Sequence, residues 1–248
     1  TVYYTIDGSE PSSTNGTAYT NAISANETMT IKAIAVKEGM NNSDVASATY
    51  TIVTPITIAE VRTQGTGSVY TQGTVTSCVG TTAYIQDATA AVCVYGSELT
   101  VGDNILIQGT LTTYNGLLEI TSPAITVVSS GNTVTPTVKT ISEINADYAA
   151  DNALQGLYVT IENATVTAIN GQNTTIVQGE NTIVVRGISG VDYAVNDILT
   201  LNGNIGCYNA AQIANPQHVV VAPHIYTITD TANPIEGGNL TGSGESEG

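Results

Sequence analysis

The chain has no phenylalanine and no tryptophan, two methionines, and five lysine plus arginine residues in 248. Without the large aromatics, interiors must be filled by Val, Ile, Leu and Ala. At about 25 cal/mol per Å² of buried apolar area, several units of roughly 70 to 90 residues suit that composition better than one large core. The shortage of cations excludes another class. With a formal net charge of −16, and with Lys32, Lys37, Arg62, Lys139 and Arg186 scattered along the chain, no cationic face is available to neutralise phosphates. No nucleic-acid partner is expected. No window approaches 18 apolar residues and no charged segment with an apolar stretch opens the chain, so no membrane span or leader is legible in it. Three cysteines, Cys78, Cys93 and Cys207, form no CxxC pair and no Cys/His cluster. An odd number cannot pair completely. Cys78 and Cys93 either bridge within one module or, the favoured reading, stay as thiols buried in strands.

The enrichment in Thr, Val, Ile, Tyr, Asn and Gly predicts an almost entirely β chain. Residues 1–53 alternate with period two through VYYTI, YTNAI, TMTIKAIAVK and ASATYTIV, the pattern of strands joined by turns. Asp7-Gly8 supplies a tight turn, because Gly tolerates positive φ and Asp bonds its own backbone two residues on. Thr54-Pro55 marks a boundary. Beyond it lies an internal repeat. Asp103, Ile105, Ile107, Gly109, Leu111, Tyr114 and Asn115 recur as Asp197, Leu199, Leu201, Gly203, Ile205, Tyr208 and Asn209, each at an offset of 94, while VCVYG and IVVRG recur at an offset of 91. Two copies of one five-stranded unit are therefore expected in tandem. The segment 140–154 is the only helix expected, capped by Ser142 with Ile144, Tyr148 and Ala149 on one face.

Tyr3-Tyr4-Thr5, Asp7-Gly8-Ser9, Pro11, Lys32-Ala33-Ile34-Ala35 and Ala48-Thr49-Tyr50-Thr51-Ile52 resemble the chitobiase/β-hexosaminidase C-terminal-type domain. The resemblance implies an immunoglobulin-like sandwich, normally with further strands before the first of these. In the repeat, GxVT, VGDxIxIxG and YNGLLEI are similar to the OB-like domains of secreted bacterial proteins. After Pro223, the GGNLTGSG stretch resembles the start of a divergent internalin-type bacterial repeat; alternatively, 234–248 supplies strands to the sandwich. Both ends thus fall inside modules, which leads us to expect a segment of a longer chain. The fold expected is all-β, a truncated immunoglobulin-like sandwich (1–54) plus two tandem OB-like Greek-key barrels (55–135 and 136–222, the second with a short leading helix). Residues 223–248 are expected to form a linker and the start of a further β module, or a donor strand.

Chemistry-bearing constellations are sparse. His218 and His224 lack partners at ligand spacing. Asp87 and Glu119 are candidates for a carboxylate pair, which the second copy lacks; solvated acids are the favoured reading. Asp147, Asp151 and Asn152 offer oxygens for Ca²⁺ without the EF-hand pattern, and a plain acidic patch is favoured there. Asp230-Thr231-Ala232 resembles an O-glycosylation acceptor. Tyr84, Tyr95 and Tyr114, with Tyr70, are candidates for a sugar-stacking platform, set against the reading that tyrosine fills a core free of phenylalanine. No catalytic residue, metal or cofactor is expected. The leading expectation is a non-catalytic structural or adhesive segment of an extracellular bacterial surface protein, extending to a filament subunit that assembles by β-strand complementation. Its partners are then other copies of itself or adjoining domains. The alternative is an accessory carbohydrate-binding region, with glycans as partners, of a secreted glycosidase or nuclease.

Overall fold

The period-two segments of the first fifty residues become four strands, β1 (Val2–Thr5), β2 (Thr17–Ala18), β3 (Met29–Ala35) and β4 (Ala46–Tyr50). In the computed structural model, which describes residues 1–223, they form one antiparallel sheet in the order β2-β1-β3-β4. Tyr3 lies opposite Ile34, and Ile31 opposite Ala48. Asp7 builds the expected turn: its Oδ1 accepts from Ser9 N at 3.0 Å and from Ser9 Oγ at 2.7 Å, with Gly8 at φ +79°. Tyr4 and Tyr19 meet edge to face at 6.3 Å. Only Thr5, Pro11 and Ile34 are buried in this unit, and β4 is exposed throughout. No second layer covers the sheet among the described residues.

The repeat folds as two five-stranded Greek-key barrels. The first comprises β5 (Gly67–Val79), β6 (Thr82–Gln86), β7 (Ala91–Tyr95), β8 (Asn104–Tyr114) and β9 (Leu117–Ser129), closed in the order β5-β6-β7-β9-β8. The second comprises β11 (Tyr158–Asn170), β12 (Asn173–Gln178), β13 (Asn181–Arg186), β14 (Ile198–Cys207) and β15 (Ala211–Val221), with β11–β14 pairing completing the ring. The short β10 (Thr137–Val138) runs parallel to β11. In each barrel the third and fifth strands are the parallel pair. Cores of Val, Ile and Leu fill both, with Val75, Ile85 and Ile107 in one and Val166, Ile176 and Leu201 in the other.

Each barrel is plugged by a helix, and here the sequence expectations need correction. A helix α1 (Ile58–Thr63), not foreseen, leads the first barrel and buries Ile58 and Val61. Its counterpart α2 (Ile141–Ala150) is capped by Thr140, not Ser142, and buries Ile141 and Ile144, while Tyr148 and Ala149 face outward. Both helices open with Thr-Ile-x-Glu and a complete capping box. Thr140 Oγ1 accepts from Glu143 N at 3.2 Å while Thr140 N donates to Glu143 Oε2 at 2.8 Å. That reciprocal pair requires residues three apart across the helix start, a place Ser142 does not occupy.

The strongest sequence marker of the repeat has a steric cause. A Cβ on Gly109 would lie 2.5 Å from Ile120 Cγ2 and 2.9 Å from the Thr121 carbonyl, and one on Gly203 would meet Ile213 Cγ2 and the Ala214 carbonyl in the same way. Each glycine faces a bulge whose next residues, Ser122-Pro123 and Asn215-Pro216, begin with a left-handed residue at φ +50° and +46°. Gly109→Ala and Gly203→Ala should each destabilise their barrel by about 1–3 kcal/mol through overpacking, measured by urea unfolding.

The helix caps carry an acid dependence. Backbone hydrogen bonding from Thr140, aided by the Lys139 side chain, holds the Glu143 carboxyl down at about 2. Its contribution is therefore complete above the ordinary glutamate range and lost as pH falls towards 2. Glu143→Gln should flatten that part of the acid-unfolding curve, and Thr140→Ala should cost about 1 kcal/mol at neutral pH.

Candidate functional site

The two barrels meet through buried polar groups. Asn204, fully buried on β14, accepts from Ser77 Oγ at 2.6 Å and donates to Thr76 Oγ1 at 2.9 Å and to the Gly156 carbonyl at 2.8 Å. Asn215, turned inward by its bulge, donates to Ser77 Oγ and to the Thr82 carbonyl, both at 3.0 Å. Gln155 accepts from Leu118 N and donates to the Gly116 carbonyl, each at 2.8 Å. Arg62 of α1 reaches three carbonyls, those of Ala91, Gln155 and Asn152. Burial lowers its pKa, opposed by the charges of Asp147 and Asp151. Gly156, at φ +91°, lets the backbones touch, since a Cβ there would sit 2.8 Å from the Ala91 carbonyl carbon. An apolar patch of Tyr84, Cys93, Leu117 and Cys207 completes the junction.

Beside this junction opens a cleft of about 580 Å³, a size typical of small-molecule sites. The first barrel contributes the β5–β6 turn through Val79 and Thr82, strands β6 and β7 through Tyr84 and Tyr95, and the β8–β9 turn through Tyr114, with Glu119 on β9. The second contributes Arg186, Tyr208 and Gln212. The equivalent turns of the two copies touch: Asn209 N donates to the Asn115 carbonyl at 2.7 Å, and the Tyr114 and Tyr208 rings lie 6.3 Å apart at 61°.

All three tyrosines singled out in the sequence therefore line one cleft, in different roles. Tyr84 is 1% exposed and belongs to its floor, whereas Tyr95 and Tyr114 are 50% and 58% exposed and offer ring faces. Burial pushes the Tyr84 hydroxyl well above its ordinary pKa and raises the Glu119 carboxyl. Tyr70 lies on β5 outside the cleft lining. Sequence reading missed Tyr208 and Arg186, although the offsets of 94 and 91 match them to Tyr114 and Tyr95.

Residues 1–49 match the family model of the chitobiase/β-hexosaminidase C-terminal domain. This chitobiase-type stretch is the sheet β1–β4, outside the cleft. No curated protein matches the chain. A solved structure described as "Structural mimicry for functional antagonism" aligns at 16% identity with a TM-score of 0.33, covering 64% of this chain and 94% of that one.

The remaining candidates fall elsewhere. Asp87 is occupied at the start of α1, accepting from Ile58 N at 2.8 Å and from Thr89 and Ala90; those bonds outweigh burial and lower its pKa. It borders a different cavity from Glu119, so the two acids are not brought together on one site. Asp147 accepts from Leu154 N at 2.9 Å, closing the turn after α2. Among the described residues no group of three His, Cys, Asp or Glu is placed to hold a metal ion, and no helix is long and apolar enough to cross a membrane. All three cysteines are free thiols, Cys78 half-buried and the others buried. His218 is exposed at φ +48°. His224, Asp230-Thr231-Ala232 and the module or donor strand expected over 223–248 lie outside the described residues, apart from Pro223.

Removing the Asn204 side chain leaves the Gly156 carbonyl without its partner and takes one hydrogen bond from each of the Ser77 and Thr76 hydroxyls. Asn204→Ala should lower stability by at least about 2 kcal/mol and split a single denaturation transition of the two barrels into two, followed by urea titration. A double-mutant cycle with Ser77→Ala should return a coupling of about 1 kcal/mol.

Proposed function

We propose that the chain is a non-catalytic, extracellular accessory segment that binds a saccharide in the cleft between its barrels. The observation that carries this reading is the set of exposed tyrosine rings, Tyr95, Tyr114 and Tyr208, on the walls of one cleft. Such rings stack on the apolar faces of sugars. The strand order of each barrel supports an OB-like reading, in which strands 2 and 3 and the loops 1–2 and 4–5 form the ligand face. In the first barrel those parts are β6, β7 and the turns bearing Val79 and Tyr114. The chitobiase-type match over 1–49 is to the C-terminal domain of a sugar-cleaving enzyme family, consistent with catalysis being carried by other domains and with the chain being part of a secreted or surface-displayed bacterial protein.

Affinity electrophoresis and glycan-array binding test this directly. Tyr114→Ala and Tyr208→Ala should each weaken oligosaccharide binding about tenfold, the loss of one stacked ring worth about 0.5–1.5 kcal/mol or more. Unchanged binding in both variants, or none by the unaltered chain, would overturn the reading.

A second reading has its own observation. Strand β4 is exposed along its length, and the sheet it edges has no second layer among the described residues. An open edge of that kind accepts a strand from another copy, which makes the segment a filament subunit. Regular filaments under electron microscopy at high concentration would support it; a monomer by sedimentation velocity would not.

A further inference from the structure

The cleft is electrically uneven, and the repeat shows where. Tyr114 ends the fourth strand of its barrel, Tyr208 directly follows that of the other, and both line the cleft. At the other two matched positions the copies differ. Tyr95 ends β7 where Arg186 ends β13, and Glu119 lies opposite Cys93 where Gln212 lies opposite Val184. One wall therefore carries a carboxylate near two tyrosine rings, and the other a guanidinium near a ring and an amide.

Neither charge is used within the fold. Among the described residues the ion pairs are Lys32 with Glu10 and Lys139 with Glu143, and Arg62 is taken up by backbone carbonyls. The side chains of Glu119 and Arg186 make no hydrogen bond or ion pair with the described residues, although both line the same cleft. Burial raises the Glu119 carboxyl, the behaviour of an acid lacking a nearby cation. Aromatic faces with a carboxylate suit an ammonium group, and a guanidinium suits a carboxylate. A uniformly anionic polymer meets both Glu119 and the net charge of −16; a uniformly cationic one meets Arg186.

We propose that the cleft reads a zwitterionic saccharide, with an amino sugar held by Glu119, Tyr95 and Tyr114 and an adjoining uronic acid held by Arg186. The proposal rests on the saccharide reading of the cleft and adds to it the charges of the ligand. Titration calorimetry on the full chain distinguishes the two. Four oligosaccharide probes suffice: N-acetylated chitooligosaccharide, its deacetylated form, oligogalacturonate, and an alternating glucosamine–glucuronate oligomer with free amines.

The alternating oligomer should bind at least about tenfold tighter than the other three, and more weakly as salt rises. Glu119→Gln and Arg186→Gln should each remove about tenfold of that preference without lowering the denaturation midpoint. Equal binding of the neutral and alternating oligomers, or a preference untouched by both variants, would overturn the charge assignment and leave the saccharide reading standing. Binding of none of the four, with an empty glycan array, would overturn both.

Discussion

A single buried amide, that of Asn204, sets the relation between the barrels on which the cleft depends. Two apolar surfaces can slide over one another with little change in energy. An amide that must meet Ser77, Thr76 and the Gly156 carbonyl together cannot, because any displacement leaves desolvated groups unpaired. Asn215 and Gln155 add the same kind of restraint from flanking positions. The walls of the cleft come from different barrels, so its width is fixed by these bonds and not by a hinge.

This arrangement also accounts for an unusual allocation of residues. In a chain short of large apolar side chains, Tyr84 is given to the junction together with two of the three cysteines. Burial pushes the Cys93 thiol far up, which keeps it protonated and unreactive. The barrel interiors are left to Val, Ile and Leu, as the composition requires.

The fold was legible where geometry constrains residue identity. Gly109 and Gly203 stand out because only glycine fits against the facing isoleucine, and Asp103 and Asp197 hold equivalent places in the turn before the fourth strand, where their backbone carbonyls accept from Val75 and Val166. Helix α1 was missed because six residues give too few turns for a periodic pattern, although its Thr-Ile-x-Glu start is the same as that of α2. At the site, exposed tyrosines beside turn residues could be picked out, and Tyr208 was within reach of the repeat. The junction was not legible: Asn204, Ser77 and Gln155 are ordinary polar residues in polar stretches, and only the packing of one barrel on the other buries them.

The junction joins non-equivalent surfaces of two similar bodies, the first and second strands of one barrel with the fourth and fifth of the other. Contacts of that heterologous kind would in principle continue into a third copy and beyond. The chain blocks this by sequence. Where the first barrel has Ser77, the second has Ala168, and where the second has Asn204 and Asn215, the first has Thr110 and Ser122. Each barrel thus carries the buried amides or the serine they meet, but not both, so the junction is specific to this pair in this order.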